Sequence, residues 1–241
     1  MTRAPRTAQA AVTVVLLLLM SGRHGAAQTP SGDVPVPDLK KWDAAGTIGW
    51  HLHAVDAPAA TPGYGGYDYR VSSFYAGVSV GRYWTEHLKT EFEVARGGTV
   101  HFSYGEPYAG GSTYPYGPYV YARDTVTETQ VTAEQAYQFF HNAWFHPFVG
   151  AGVVAARESH AMNRPAQQVP IYSAGYPSTI TGVVDVPAAS STRVTWKAHP
   201  FVATGFKAYV SYHAFFRADF RVAFNSGVQA TLARVGFGLD F

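Results

Sequence analysis

The sequence contains no cysteine, which excludes a disulfide framework, a thiolate metal centre and lipid attachment through an N-terminal cysteine. Long apolar runs are missing too once residue 27 is passed, so the body of the chain encodes no transmembrane helix. Charge is sparse: 14% of the 241 residues are charged, fewer than the 15% that are aromatic. Hydrophobicity is instead spread through the chain by alternation.

The one apolar run, Ala11 to Met20, is well short of the roughly 20 residues that cross a bilayer as a helix. Arg3 and Arg6 precede it, and SGRHGAA follows with Gly25 and Ala27 placed for cleavage, so residues 1–27 read as a secretory signal. Its removal takes Arg3, Arg6 and Arg23 and leaves 15 basic against 16 acidic residues, with no electrostatic footprint for nucleic acid. Residues 28–41 (QTPSGDVPVPDLKK) carry three prolines and no period, as an extended periplasmic leader would.

From Trp42 to Phe241 the period is two, the signature of strands. Ile48, Trp50 and Leu52 alternate with Thr47, Gly49, His51 and His53; Phe74, Ala76, Val78 and Val80 with Tyr75, Gly77, Ser79 and Gly81; Leu88, Phe92 and Val94 with Lys89, Glu91 and Glu93. Val131, Ala133 and Tyr137 oppose Glu128, Gln130, Thr132, Glu134 and Gln138, with Gln135 as a polar intruder on the apolar side. Val149, Ala151 and Val153 alternate with Phe148, Gly150 and Gly152. In Thr192–Val210 the pattern is interrupted by Pro200, which favours a strand end, edge or bulge. Phe216, Ala218, Phe220 and Val222 oppose Arg217, Asp219 and Arg221, and Val235, Phe237, Leu239 and Phe241 oppose Arg234, Gly236 and Gly238. That makes eight strands, most of them near the 9–11 residues a tilted strand needs to cross a bilayer. A strand that runs on to Phe241 must be held on both sides against the fraying usual at chain ends.

The connectors alternate as well. TEH, HNAW and SYH are short, whereas the segments between strands one and two, three and four, and five and six are long and rich in Gly, Pro and Tyr. Short turns on one side and long loops on the other is the rule for outer-membrane barrels. A soluble, periplasmic lipocalin-like binding barrel with its apolar face inward is the alternative. Three features favour the polar face inside. Lys89, Glu91, Glu93, Glu128, Glu134, Arg217, Asp219, Arg221 and Arg234 can pair in a lumen, but Lys or Arg facing lipid at the midplane costs roughly 2–4 kcal/mol each. The glycines cluster on the same charged faces, and aromatics gather near strand ends, among them Trp84, Tyr137, Phe139, Trp144, Phe145, Phe216 and Phe241. The expected fold is therefore all-β: an eight-stranded antiparallel up-and-down transmembrane β-barrel over residues 42–241, with short periplasmic turns and long extracellular loops.

Three phrases, HPFVGAGVV (His146–Val154), GFKAYVSYHAFFRADFRV (Gly205–Val222) and GFGLDF (Gly236–Phe241), resemble the small eight-stranded outer-membrane β-barrel family, the OmpA- and OmpX-like group. The resemblance implies localisation in the bacterial cell outer membrane, contact with membrane lipid and lipopolysaccharide, and no cofactor. It also implies that Phe237, Leu239 and Phe241 form the signal read by the barrel assembly machinery.

For function the sequence offers a structural or surface-interaction barrel, since an eight-stranded lumen is only wide enough for side chains to fill. The alternative use of the same lumen is a narrow gated channel. The loop YGEPYAGGSTYPYGPYVY offers Tyr104, Tyr108, Tyr114, Tyr116 and Tyr119 as a surface-contact set, because Tyr gives a large contact area with few rotors to freeze. A lipid A-modifying enzyme would have to use His101, Ser103 and Glu106, but strand-three parity puts His101 and Ser103 inward, away from lipid. His51 and His53 share the inward face, and His87, His141, His146 and His213 lie near short turns. No Cys, Asp or Glu stands at a ligand spacing around them, so they read as polar lumen and interfacial residues and no metal is expected.

Overall fold

The computed structural model describes residues 40–55, 69–107, 119–140, 143–172 and 179–241. The expected signal, 1–27, and all of the leader except Lys40 and Lys41 lie outside them. The described residues form eleven strands and no helix: β1 (Trp42–Val55), β2 (Tyr69–Tyr83), β3 (Leu88–Gly97), β4 (Val100–Pro107), β5 (Tyr119–Gln138), β6 (Phe145–Arg164), β7 (Gln167–Tyr172), β8 (Ile180–Val186), β9 (Ala189–Tyr209), β10 (Ala214–Phe224) and β11 (Val228–Asp240).

The ladder runs β3-β2-β1-β11-β10-β9-β6-β5, and β5 pairs again with β3, closing an antiparallel ring of eight. A circuit along paired residues measures its stagger. In one direction Arg96 leads through Thr129 and Arg157 to Trp196 on β9; in the other it leads through Ala76, Ile48, Val235 and Ala218 to Phe206 on β9. The two arrivals are ten residues apart, which is the shear of the barrel. With about 3.3 Å per residue and about 4.8 Å between strands, that shear tilts eight strands by about 40° from the axis. The closing seam is β1 on β11, Asp43↔Asp240 to His53↔Ala230, continued by hydrogen bonds from Trp42 N to Phe241 O (3.1 Å) and Phe241 N to Trp42 O (2.9 Å).

Three details depart from the sequence reading. The third strand is broken at Gly98 and Thr99: between Arg96↔Thr129 and Val100↔Val126 it advances four residues while β5 advances three. One extra residue bulges the strand and exchanges its faces, so β4 has the opposite parity to β3. Second, β5, β6 and β9 are 20, 20 and 21 residues long, twice a bilayer span, and with β4 they form a flange beyond the ring. The β6–β9 ladder continues to Arg164↔Ala189, whereas β9 leaves β10 at Phe201↔Ala223. Third, the long connection between β6 and β9 contains a separate hairpin, β7–β8, whose Val169 and Val186 pack on Val120 of β5.

Both irregular residues find a place. Pro200 lies just beyond the last β9 residue paired with β10, the edge position its missing N–H favours. Gln135 does face outward, and its Oε1 accepts from Thr90 Oγ1 (2.7 Å), which in turn accepts from Trp84 Nε1 (2.7 Å). The polar intruder is thus satisfied at the short-turn rim.

Candidate functional site in the barrel lumen

Burial is inverted relative to a soluble protein. Val78 is 66% exposed and Phe92 56%, while Glu91 and Glu93 are each 2% exposed. The apolar faces of all eight ring strands look outward, and the charged faces look into the lumen. An apolar belt around a closed ring is the outer surface of a protein solvated by lipid, because closure alone leaves no unpaired backbone in hydrocarbon. Trp84, Tyr137, Phe145 and Phe241 stand exposed at the short-turn end, where amphipathic rings belong.

At mid-lumen, Glu91 and Glu93 from β3 and Glu134 from β5 face Arg217, Asp219 and Arg221 from β10 and Arg234 from β11. Arg217 binds Glu91 and, through Nε, Asp219 (2.8 Å). Arg221 reaches Glu93 (2.6 Å) and Glu134 (2.7 Å). Arg234 binds Glu93 and, through Nε, Asp219 (2.6 Å). Thr47 Oγ1 donates to Glu93 (3.0 Å). The guanidinium groups of Arg217 and Arg221 also lie 4.8 Å and 5.0 Å from the ring centres of Phe148 and Phe201, which β6 and β9 turn inward. Long side chains fit because a glycine sits directly opposite: Gly81↔Glu91, Gly152↔Glu134, Gly49↔Arg234, Gly205↔Asp219 and Gly236↔Arg217.

Below this knot, toward the short turns, lies a second network. Lys89 Nζ stands 2.7 Å from Asp43 and 2.6 Å from Glu91, joining the two layers. Lys207 Nζ binds Asp240 (2.6 Å) and donates to Tyr83 Oη (3.0 Å), which itself donates to Asp43 (3.0 Å). Gln138 Nε2 donates to the same hydroxyl (3.1 Å), and Tyr209 donates to Asp240. His146, 0% exposed, closes this layer edge-on against Tyr209, with Nδ1 at 3.2 Å from Phe140 O.

Above the knot the polar groups change character. His51, His53 and Glu128 meet there, Glu158 carries Lys197 (2.9 Å), and His160 lies between Asp124 (3.1 Å) and Glu158 (3.5 Å).

Eight of the nine lumen residues expected from the sequence therefore converge: Lys89, Glu91, Glu93, Glu134, Arg217, Asp219, Arg221 and Arg234. Glu128 is buried in the lumen but belongs to the outer layer. Asp43, Lys207 and Asp240 escaped the sequence reading; their signal was the inward parity they share with Ala45, Gly205 and Gly238. Tyr104 is half-buried on β4 and Tyr119 exposed at the start of β5, while Tyr108, Tyr114, Tyr116 and His141 lie outside the described residues. Phe237, Leu239 and Phe241 are exposed along the outer face of the last strand and its end. The inward placement of His101 and Ser103 is corrected: the bulge turns both to the outer face, where His101 Nδ1 lies 3.1 Å from Thr125 Oγ1 and Ser103 pairs with Arg123.

No family model and no curated protein matches the sequence. Among solved structures the chain is similar to the N-terminal β-barrel domain of OprF from Pseudomonas aeruginosa, at 12% identity and a TM-score of 0.47, over 85% of this chain and 100% of that one. It is similar to Neisserial surface protein A at 14% identity and a TM-score of 0.47, over 83% and 97%. The outer membrane protein OprG from Pseudomonas aeruginosa gives 15% identity and a TM-score of 0.45, over 86% and 99%. The hydrogen-bonded ring, its ten-residue shear and the inversion of apolar and charged faces make this chain an eight-stranded outer-membrane β-barrel.

Proposed function

We propose that the barrel has a structural and surface-interaction role in the outer membrane, with a lumen plugged against solutes. The observation that supports this reading is the buried knot of Glu91, Glu93, Glu134 and Asp219 with Arg217, Arg221 and Arg234, set across the lumen that any solute would have to cross. Interaction takes place on the β4–β5–β6–β9 flange and through the Tyr-, Gly- and Pro-rich connecting segments, which also meet lipopolysaccharide headgroups. During biogenesis the barrel assembly machinery reads the last strand through Phe237, Leu239 and Phe241. Purified protein in planar bilayers should give no steady conductance. A large, sustained conductance would overturn the plug in favour of a channel. The enzyme alternative has its own test: lipid A from expressing and deleted cells should have the same mass, and a deacylated species in expressing cells would overturn a non-catalytic role.

A further inference from the structure

At the outer end of the lumen, three ligand-bearing side chains stand together. His51 and His53 are two residues apart on β1, so the strand period puts both on the inward face, and their rings stack 4.4 Å apart at 14°. Glu128 comes from β5, on the far side of the ring from the β1–β11 seam, and places Oε2 3.6 Å from His51 Nδ1 and 3.3 Å from His53 Nε2. All three residues are at least 95% buried. Yet Glu128 Oε2 and His51 Nδ1 have no hydrogen-bond partner, an arrangement that is costly for polar atoms out of water.

The spacing has a chemical meaning. Ligands held about 2.0–2.1 Å from a tetrahedral ion lie about 3.3–3.4 Å from one another. The two His–Glu separations are of that size, and the ligand atoms of all three residues fall within 4.8 Å of one another. The carboxylate is also aimed: Gln130 Nε2 donates to its other oxygen, Oε1, at 2.6 Å, leaving Oε2 toward the imidazoles. Three carboxylates share this layer with one lysine, Lys197 on Glu158, and the balance favours a cation. Glu128 stands directly across the ladder from Glu158, a like-charge pair that destabilises a sheet, and Asp124 adds a third carboxylate to the layer. A cavity of about 50 Å³ adjoins the cluster, room for an ion and its water, and it shares Ala54, His199 and Gln229 with a depression beside the β10–β11 turn at Asn225 and Ser226.

We infer that His51, His53 and Glu128 form a binding site for a divalent transition-metal ion of the zinc class, beside the cavity at the outer end of the lumen, with water from that cavity in the remaining position. Imidazole and carboxylate donors suit zinc, nickel and cobalt and disfavour magnesium and calcium. The sequence could not reveal it, because Glu128 lies 75 residues beyond His53 and is brought to it only by ring closure.

The test uses the full barrel, refolded in detergent without an affinity tag, titrated with Zn²⁺ by calorimetry and with Co²⁺ by visible absorbance. One ion per chain is expected, with magnesium failing to compete. Glu128→Gln and His53→Gln should each abolish stoichiometric binding. Gln130→Ala should weaken it by about 10–100-fold, and His213→Gln, in the exposed β9–β10 turn, should leave it unchanged. Heat-modifiable migration on a gel certifies that each variant is folded. Wild-type protein that takes up no stoichiometric zinc overturns the inference whatever the variants do, and so does binding that survives intact in folded Glu128→Gln. Either failure leaves the lumen plug below it untouched.

Discussion

Replacing Arg234 by methionine removes a guanidinium whose side chain is 0% exposed and which contacts Asp219 at 2.6 Å, Glu93, and Glu91 at 3.5 Å. Methionine keeps much of the length and none of the charge, so Glu93 and Asp219 lose a partner without gaining water. Removing one member of a buried ion pair typically costs 3–5 kcal/mol, chiefly because the other member stays buried and uncompensated. The expected loss is therefore about 3–5 kcal/mol, read as a fall in the urea midpoint of barrel unfolding in lipid vesicles at unchanged slope. The double variant Arg234→Met/Asp219→Asn removes one charge of each sign. It should be less unstable than the sum of its single variants by about 0.5–3 kcal/mol, the range measured for groups in contact. A single variant within about 0.5 kcal/mol of wild type would show that the knot is wet and loosely coupled. Strict additivity in the double variant would refute direct coupling between Arg234 and Asp219.

Further outcomes can be checked on the same preparation. Val78→Lys, in the middle of the apolar belt, should destabilise the barrel by about 2–4 kcal/mol, whereas Leu88→Lys at the rim should cost about 0–1 kcal/mol; equal costs would displace the belt. A Cβ added at Gly77 meets Ala95 Cβ and Glu93 Oε1, each at 2.9 Å, while one added at Gly46 meets nothing within 4 Å. Gly77→Val should thus lose about 1–3 kcal/mol in the unfolding assay, and Gly46→Ala should stay within about 0.5 kcal/mol of wild type. Phe241→Ala should lower the amount of heat-modifiable barrel in cells while leaving refolding in detergent intact; unchanged assembly would argue against a role for this residue as a signal.

Face parity was legible in the sequence wherever a strand was unbroken. The charges of β3 and β10 and the glycines of β2 and β11 fall on the inward side as their alternation requires. Partnership was not legible, because local period says nothing about which residue of β9 reaches which residue of β1. Lys207 meets Asp43 and Asp240 only through the ten-residue shear, and that quantity belongs to the closed ring. The bulge at Gly98–Thr99 shows how little is needed to mislead: a single additional residue turned His101 and Ser103 to the outside. The hairpin β7–β8 was hidden for another reason, since its strands of six and seven residues include Pro170 and leave little room for alternation to register.

The unequal ends of the ladders mark the length of one bilayer crossing on the backbone. On β3 the ladder with β2 ends at Gly97, the tenth residue of the strand, and on β9 the pairing with β10 covers Phe201 to Tyr209. Beyond those points, among the described residues, β4 is paired with β5 and the upper part of β9 with β6. The paired spans match the 9–11 residues of one crossing. One crossing is therefore written into the lengths of the β2–β3 and β9–β10 ladders, and the upper halves of the three long strands continue past it.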